Sequence, residues 1–290
     1  MDATDYGKKV AFDPVTGQSI EFIPARVYDN HVIMQNDPTY VKRLENLPEQ
    51  ERKAFLDGDW DLFQGQYFSE FRRSIHVYAD DDVDIRPHWR RYVAMDYGLD
   101  MLAAYFIAVD ENSKGYIYRE IHESNLIISE AVERIKSSTI PGEKIDIYYA
   151  PPDLWNRRQD TGKSAADIFQ EFGICLYKAS NDRVQGWLNM KEWLRVVETR
   201  DEQTGKKLKT AALRVHSSCR NLIKSLAESQ YDDKNPNDVS KEPHILSHSV
   251  DAVRYFLSGR PSPAYLEFKR AAAEDDDDDD RDNDEEGWFE

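Results

Sequence analysis

The sequence predicts an α/β fold in which a mixed sheet, with an antiparallel meander followed by strand–helix units, is flanked by helices. Three strand-like apolar runs come first, at 89–98, 103–110 and 114–120, and the links between them are too short to hold a helix. Strand-like and helix-like segments then alternate to about residue 259. Short links join antiparallel neighbours and strand–helix units join parallel ones, so the two patterns together predict a mixed sheet.

The second half of this fold follows from apolar periodicity. Helices are predicted at 129–138, 165–172, 183–197, 219–227 and 249–257, and strands at 145–150, 174–178 and 212–215. Ser129 is the predicted N-cap of the first of these helices. The charged segment 200–207 is the predicted tip of a hairpin and leads to the strand at 212–215.

Three regions are predicted along the chain. Residues 1–75 are a lead-in of short elements: a hairpin at 8–23, a helix that starts at Asp37-Pro38, and a helix at 47–56. Residues 76–262 form the main domain. Residues 263–290 form a disordered acidic tail, because like charges repel and the segment has little apolar surface to bury.

The charge of the chain is unevenly distributed. The net charge is −17, but twelve of the seventeen residues from 274 to 290 are acidic and one is basic, so residues 1–273 carry only −6. A mildly acidic domain does not exclude DNA, since a local basic surface is enough to bind it. The tail ends in Trp288-Phe289, which indicates either a docking motif or a solubilising extension. An apolar run of about 20 residues is absent and the N-terminus lacks a signal peptide, so we expect no membrane association and no secretion.

Three carboxylates stand out by their positions. Asp96 ends the first strand of the meander, Asp153 follows strand 145–150, and Asp251 lies in helix 249–257. Ligands gather at the carboxyl ends of strands in such sheets. Oxygen donors suit Mg²⁺ or Mn²⁺, and two such ions hydrolyse phosphodiesters without a catalytic His or Ser. We therefore expect Asp96 to bridge two ions, with Asp153 and Asp251 each holding one. The alternatives are a strand-end turn for Asp96, a cap for Asp153 and an exposed pair with Arg254 for Asp251.

Basic residues near these acids in sequence are candidates for contacts with the DNA backbone. They are Arg157, Arg158, Lys163, Lys178, Arg183, Lys191 and Arg195. Lys191 and Arg195 fit an ordinary solvated helix face equally well.

Two local patterns are set aside. Thr161–Ser164 ends like a phosphate-binding loop, but Arg157 stands where that motif needs Gly, so we expect no ATP site of this kind. His244 and His248 are four residues apart, but the serines beside them offer no third zinc ligand.

Five segments together resemble the C-terminal nuclease domain of the large subunit of tailed-phage terminases. They are 91–98 (RYVAMDYG), 148–155 (YYAPPDLW), 179–187 (ASNDRVQGW), 219–223 (CRNLI) and 251–255 (DAVRY). The similarity extends from about residue 30 to 258. It implies an RNase H-like fold and cleavage of phage DNA by two metal ions. It also implies four partners: double-stranded DNA, the portal protein, the small terminase subunit and an ATPase domain or chain. The implied location is the host cytoplasm, with transient association at the procapsid portal.

The sequence departs from the family pattern in three ways. It contains no Walker motifs, so we do not expect this chain to translocate DNA alone. Pro151 stands at the strand end where the family often has an acid, with Asp153 two residues later, and Ser247-His248 stands where members often have Asp-His. Two other functions therefore stay open: a different RNase H-like nuclease such as a resolvase, and a non-catalytic packaging-assembly subunit.

Overall fold

The computed structural model describes most of the chain, in eight stretches. These are residues 9–12, 19–22, 27–37, 39–45, 65–98, 100–200, 207–262 and 265–266. The chain divides into two compact units, Met1–Gln64 and Gly65–Glu290. The predicted helix at 47–56, the hairpin tip from 201 to 206 and the acidic tail from 267 onward lie outside the described residues.

The first unit holds a hairpin and two short helices. Its elements are β1 (Lys9–Phe12), β2 (Ser19–Phe22), α1 (His31–Asn36) and α2 (Tyr40–Glu45). The two strands pair antiparallel, in agreement with the predicted hairpin. Asp37 accepts hydrogen bonds from the backbone and hydroxyl of Thr39, at 3.1 and 2.6 Å, so its carboxylate supports the chain where it enters α2.

The second unit is a sheet with helices on both faces. The strands are β3 (Val77–Tyr78), β4 (Arg90–Tyr97), β5 (Met101–Val109), β6 (Gly115–Ser124), β7 (Ile147–Ala150), β8 (Leu176–Lys178), the hairpin pair β9 (Val197–Arg200) and β10 (Lys207–Thr210), and β11 (Leu213–His216). The helices are α3 (Arg73–His76), α4 (Ile128–Ser138), α5 (Ala165–Glu171), α6 (Arg183–Leu194), α7 (Arg220–Glu228) and α8 (His244–Leu257). No helix in these described stretches is long and apolar enough to cross a membrane.

The sheet is mixed, as the sequence predicted. Its strand order is β3-β11-β6-β5-β4-β7-β8. The meander β4-β5-β6 is antiparallel, whereas β7 runs parallel to β4, β8 parallel to β7, and β11 parallel to β6. The short links of the meander allow only antiparallel pairing, and the later strands are reached through helices that carry the chain back across the sheet.

Strand β4 is buried on both faces, and successive side chains along it point to opposite faces of the sheet. Tyr92 and Ala94 lie in the core cluster that contains residues of α6, α7 and α8. Val93 and Met95 lie in the opposite cluster, with residues of α4 and α5. Because side chains alternate along a strand, Asp96 faces the same side as Tyr92 and Ala94, toward α8.

The compact second unit begins before the domain boundary that the sequence predicted after residue 75. Tyr67, Phe68 and Phe71 are buried in the same cluster as Trp187. The Phe68 and Trp187 rings meet edge to face with centroids 5.8 Å apart. The segment 65–71 therefore supplies large aromatic side chains to the core beneath α6.

Two helix starts differ from prediction. Helix α4 begins at Ile128, not after Ser129, because the Glu130 carboxylate accepts the Ile127 N–H at 3.1 Å and holds the first turn two residues earlier. Helix α8 begins at His244 rather than at residue 249. Its first turns contain His and Ser side chains, several of them buried, which hide the apolar periodicity from the sequence.

Candidate active site

Asp96 lies near the end of strand β4, beneath α8. Its side chain is 19% exposed and accepts a hydrogen bond from Nδ1 of His248 at 2.7 Å. Burial raises the pKa of Asp96, and the negative charges of Asp251 and Asp153 raise it further, against the opposing effect of the hydrogen bond from His248. The Asp96 carboxylate is therefore held in a place where negative charge is unfavourable.

Asp153 lies in a 3-10 turn, Pro152–Trp155, that follows β7 directly. Since β7 runs parallel to β4, the two strands end at the same edge of the sheet. Asp153 is exposed and lines a cavity of about 800 Å³. Apolar side chains form much of the rest of this cavity wall: Tyr97, Leu126, Ile127, Leu154, Ile168 and Phe172.

Asp251 is buried on α8 and is held by two arginines. Its Oδ1 accepts hydrogen bonds from Nη1 of Arg183 at 2.8 Å and from Nε and Nη2 of Arg254 at 2.9 and 2.7 Å. Its Oδ2 accepts Nη1 of Arg183 at 2.8 Å. The pair with Arg254 that the sequence offered as an alternative is present, but it is buried and not on the surface, since Arg254 is 0% exposed.

The charges of all three acids act on one tyrosine, Tyr255. Burial raises the pKa of the Tyr255 hydroxyl, and the charges of Asp96, Asp251 and Asp153 each raise it further. Electrostatic effects of this kind act over short distances inside a protein. The three acids, which arise from β4, from the turn after β7 and from α8, are thus close enough to act electrostatically on the same hydroxyl.

A donor set of oxygens in this cleft fits divalent cations. The charges of Asp251 and Asp153 oppose ionisation of Asp96, and a cation would relieve this repulsion. The Oδ1 atom of Asp251 already accepts three hydrogen bonds, whereas Oδ2 accepts one and keeps capacity for a further ligand. Hard oxygen ligands of this type suit Mg²⁺ or Mn²⁺.

The arginines that hold Asp251 are themselves fixed by Trp187. The guanidinium carbons of Arg183 and Arg254 lie 5.1 and 5.0 Å from the Trp187 ring centre. The Trp187 N–H donates to Asp238 at 2.7 Å, and Asp238 also accepts Nε of Arg183 at 3.1 Å. Planar guanidinium groups stacked on an aromatic ring hold a fixed orientation, and this in turn orients the Asp251 carboxylate.

Sequence reasoning missed the contact between His248 and Asp96, and also the group of side chains to which His248 belongs. Among the described residues, one group of His and Asp side chains has potential metal-ligand atoms that all lie within 4.8 Å of one another. Its members are Asp100, His244 and His248, and we call it the histidine cluster. The spacing of the two histidines was visible in the sequence, but the third ligand was sought beside them. Asp100 instead reaches them from the turn between β4 and β5.

The basic residues predicted to contact DNA differ in their surroundings. Arg157, Arg158, Lys163, Lys178 and Arg195 are exposed, while Arg183 and Lys191 are partly buried. Arg158 pairs with Asp160 at 3.2 Å, and Lys163 pairs with Glu171 at 2.6 Å. Lys191 lies over the ring of Tyr67, 4.2 Å from its centre. Arg183 is bound by two carboxylates, so its side chain serves the protein interior.

The sheet order, the flanking helices and the position of Asp96 define an RNase H-like fold. Comparisons with protein-family models and with curated proteins find no match. Among solved structures, the chain is similar to the large terminase of a thermophilic bacteriophage in complex with ADP, at 18% identity, with 80% of this chain and 53% of that chain covered and a TM-score of 0.51. It is also similar to the P22 large terminase nuclease domain, at 16% identity, with 68% and 93% covered and a TM-score of 0.51.

These similarities establish the fold of the chain. The solved nuclease domain of P22 large terminase is covered almost completely, at 93% of its length. The chain spans about half the length of the ADP-bound large terminase, since 53% of that chain is covered. The architecture implied by the sequence resemblance is therefore confirmed.

Proposed function

We propose that this chain is the nuclease part of a large terminase, a metal-dependent endonuclease that cuts phage DNA during genome packaging. The observation that carries the proposal is the convergence of Asp96, Asp153 and Asp251 around Tyr255. These acids come from three separate elements of a fold shared with the P22 large terminase nuclease domain. Acids whose charges raise the pKa of a neighbouring group in this way are candidates for a functional site.

Two Mg²⁺ or Mn²⁺ ions at these acids would supply an activated water and stabilise the charge that develops on the leaving oxygen. In this proposal Asp96 would hold both ions, and Asp153 and Asp251 would each hold one. His248 orients the Asp96 carboxylate through its hydrogen bond at 2.7 Å. Arg183 and Arg254 fix the Asp251 carboxylate, so that its Oδ2 points in one direction. Partners of this kind tune the ligands that they orient.

We assign contacts with the DNA backbone to basic side chains of the protein, most of which are exposed. Arg157, Arg158 and Lys163 lie within ten residues of Asp153 in sequence, and Lys178 ends β8 beside β7. Lys191 and Arg195 extend the predicted contacts along α6 and its end. Contacts of this type fix the position of a duplex without reading its sequence, so binding should weaken as salt rises. We assign Arg183 to the support of Asp251.

Packaging requires partners that supply the motor. The large terminase that was solved with ADP is about twice as long as the part that this chain matches. We therefore propose that the chain acts with an ATPase domain or chain, the portal protein and the small terminase subunit. It would work in the host cytoplasm and transiently at the procapsid portal.

Cleavage of supercoiled plasmid tests the proposal directly. The purified chain is incubated with Mn²⁺, Mg²⁺ or EDTA, beside Asp96→Asn and Asp146→Asn. We expect nicked and linear products in either metal, none in EDTA, and none above the EDTA background for Asp96→Asn. Asparagine keeps the shape of the side chain and still accepts from His248, so the loss would reflect the missing charge.

Asp146→Asn is the matched control. Asp146 pairs with Arg90 at 3.0 Å, where β4 begins and far along the strand from Asp96. It should cleave like the unaltered chain. Equal cleavage by Asp96→Asn and the control would show that the Asp96 carboxylate is not needed for cleavage. A strong preference for branched over linear DNA would favour a resolvase, and no cleavage by the folded chain in any metal would favour an assembly subunit.

A further inference from the structure

We infer that the histidine cluster of Asp100, His244 and His248 binds one divalent transition-metal ion, at a site distinct from the acids around Tyr255. Nδ1 of His244 lies 3.1 Å from Oδ2 of Asp100, and Nε2 of His248 lies 3.4 Å from the same oxygen. Metal–ligand bonds of about 2.0–2.2 Å in tetrahedral geometry place neighbouring donors roughly 3.3–3.6 Å apart. Both measured separations are already close to that value.

Helix geometry brings the two imidazoles together. His244 and His248 are four residues apart on α8, so their side chains lie on one face of the helix. Their ring centres are 4.4 Å apart. The third donor, Asp100, comes from the turn between β4 and β5, so an ion here would join the start of α8 to that turn.

An independent observation points to a ligand at this place. His248 is 6% exposed, and its Nε2 atom is buried without a hydrogen-bond donor or acceptor in suitable geometry among the described residues. In the neutral tautomer whose Nδ1 donates to Asp96, Nε2 carries the lone pair, and this atom lies 3.4 Å from Oδ2 of Asp100. Metal-binding histidines have this arrangement, in which a carboxylate holds one ring nitrogen and the other binds the ion.

The donor types select the class of ion. Imidazole nitrogens favour Zn²⁺, Co²⁺ or Ni²⁺, whereas the oxygen-only set of Asp96, Asp153 and Asp251 suits Mg²⁺. The side chains of His244 and Asp100 are each 58% exposed, which gives an ion access from solvent. Three protein ligands leave a coordination position for water. The cleft therefore holds two adjoining sites of different preference, with Asp96 serving one as a ligand and the other as the partner of His248.

Titration of the full chain with Co²⁺ tests the inference, because the visible absorption of Co²⁺ reports its coordination. We expect one Co²⁺ to give a band that Zn²⁺ removes and that an equal concentration of Mg²⁺ does not. His244→Ala should weaken this Co²⁺ binding by about 10-fold or more, the loss typical for groups that support a metal site. Asp100→Asn should act in the same direction. The matched control is His88→Ala, which removes an exposed histidine paired with Glu111 and should leave the titration unchanged.

The alternative is that His248 is doubly protonated and bridges Asp96 and Asp100 without a metal. Equal Co²⁺ affinity in His244→Ala, Asp100→Asn and the unaltered chain, or no Co²⁺ band at all, would overturn the inference. The Co²⁺ titration tests a different property from the proposed nuclease activity. His244→Ala should still cleave plasmid in Mg²⁺, whereas Asp96→Asn should not. Loss of the Co²⁺ band in His244→Ala, together with cleavage by Asp96→Asn, would refute the nuclease site and keep the transition-metal site.

Discussion

Position 186 shows how closely α6 approaches the residues that hold Asp251. A Cβ atom on Gly186 would lie 2.7 Å from Cγ and 2.9 Å from Cδ of Arg254. Separations this short force a shift, and Arg254 has little freedom because it is fully buried and bound to Asp251. Glycine at this point of the helix is required by the contact, although it weakens the helix by roughly 0.5–1 kcal/mol relative to alanine.

We expect Gly186→Ala to lower the free energy of unfolding by about 1–3 kcal/mol, the usual effect of overpacking, despite the better helix propensity of alanine. The shift of Arg254 should also disturb Asp251 and reduce plasmid cleavage. Urea unfolding and the cleavage assay measure the two effects. Gln185→Ala, at the exposed neighbouring position, is the control and should stay within about 0.5 kcal/mol of the unaltered chain. Equal stability of the two variants would show that Arg254 moves aside without cost.

The link between α4 and β7 is held to the sheet by one buried glutamate. Glu143 is 7% exposed at its side chain and accepts hydrogen bonds from Tyr118 at 2.7 Å and Arg119 at 3.0 Å. Arg91 on β4 lies 3.6 Å away. Burial acts to raise the pKa of Glu143, but hydrogen bonds from the Ile140 backbone, Tyr118 and Arg119 outweigh it, so the pKa lies below its ordinary value.

A lowered pKa makes this glutamate a source of stability that depends on pH. The charged carboxylate stabilises the fold at every pH above its unfolded value of 4.5, and this contribution disappears as pH falls through the lower folded pKa. We expect Glu143→Gln to cost about 2 kcal/mol at pH 7, as for a hydrogen-bonded charged group, and less at pH 4. Urea unfolding at the two pH values measures the difference. Glu133→Gln, on the exposed face of α4, should show no such dependence; a constant deficit for Glu143→Gln would contradict the argument.

At the scale of the whole molecule, charge is separated along the chain. The segment 274–290 carries −11 of the net −17. If the domain binds DNA as proposed, a strongly acidic segment tethered to it opposes the approach of that polyanion. Its effect should therefore depend on ionic strength, because salt screens interactions over about 8 Å at physiological concentration.

We expect removal of residues 274–290 to tighten binding to a short duplex at low salt, and the gain to shrink as salt rises. Fluorescence anisotropy across a salt series measures both. A variant of full length, with the acids of this segment replaced by Ser and Gly, should match the truncation if charge is the cause. If it instead binds like the unaltered chain, the Trp288-Phe289 end and not the charge would carry the effect.

The sequence by itself determined the mixed sheet and most of its elements, and it singled out the three acids as a prediction. These follow from local patterns: apolar runs with short links, helical periodicity, and polar residues at strand ends. Where local signals competed, prediction failed. The hydrogen bond of Glu130 places the start of α4 earlier than predicted. The buried polar side chains of α8 interrupt its apolar periodicity, so the prediction left out its first five residues, from His244 to His248.

Only the tertiary structure decided the partner of each charged side chain. Asp100 joined the histidine cluster, Arg183 turned inward to Asp251, and His248 met Asp96. All three contacts join segments that are distant in the chain. The free energy of such pairs depends on burial and on mutual orientation, which packing of α6 and α8 against β4 sets. A one-dimensional pattern holds the residues of a site, but not the distances between them.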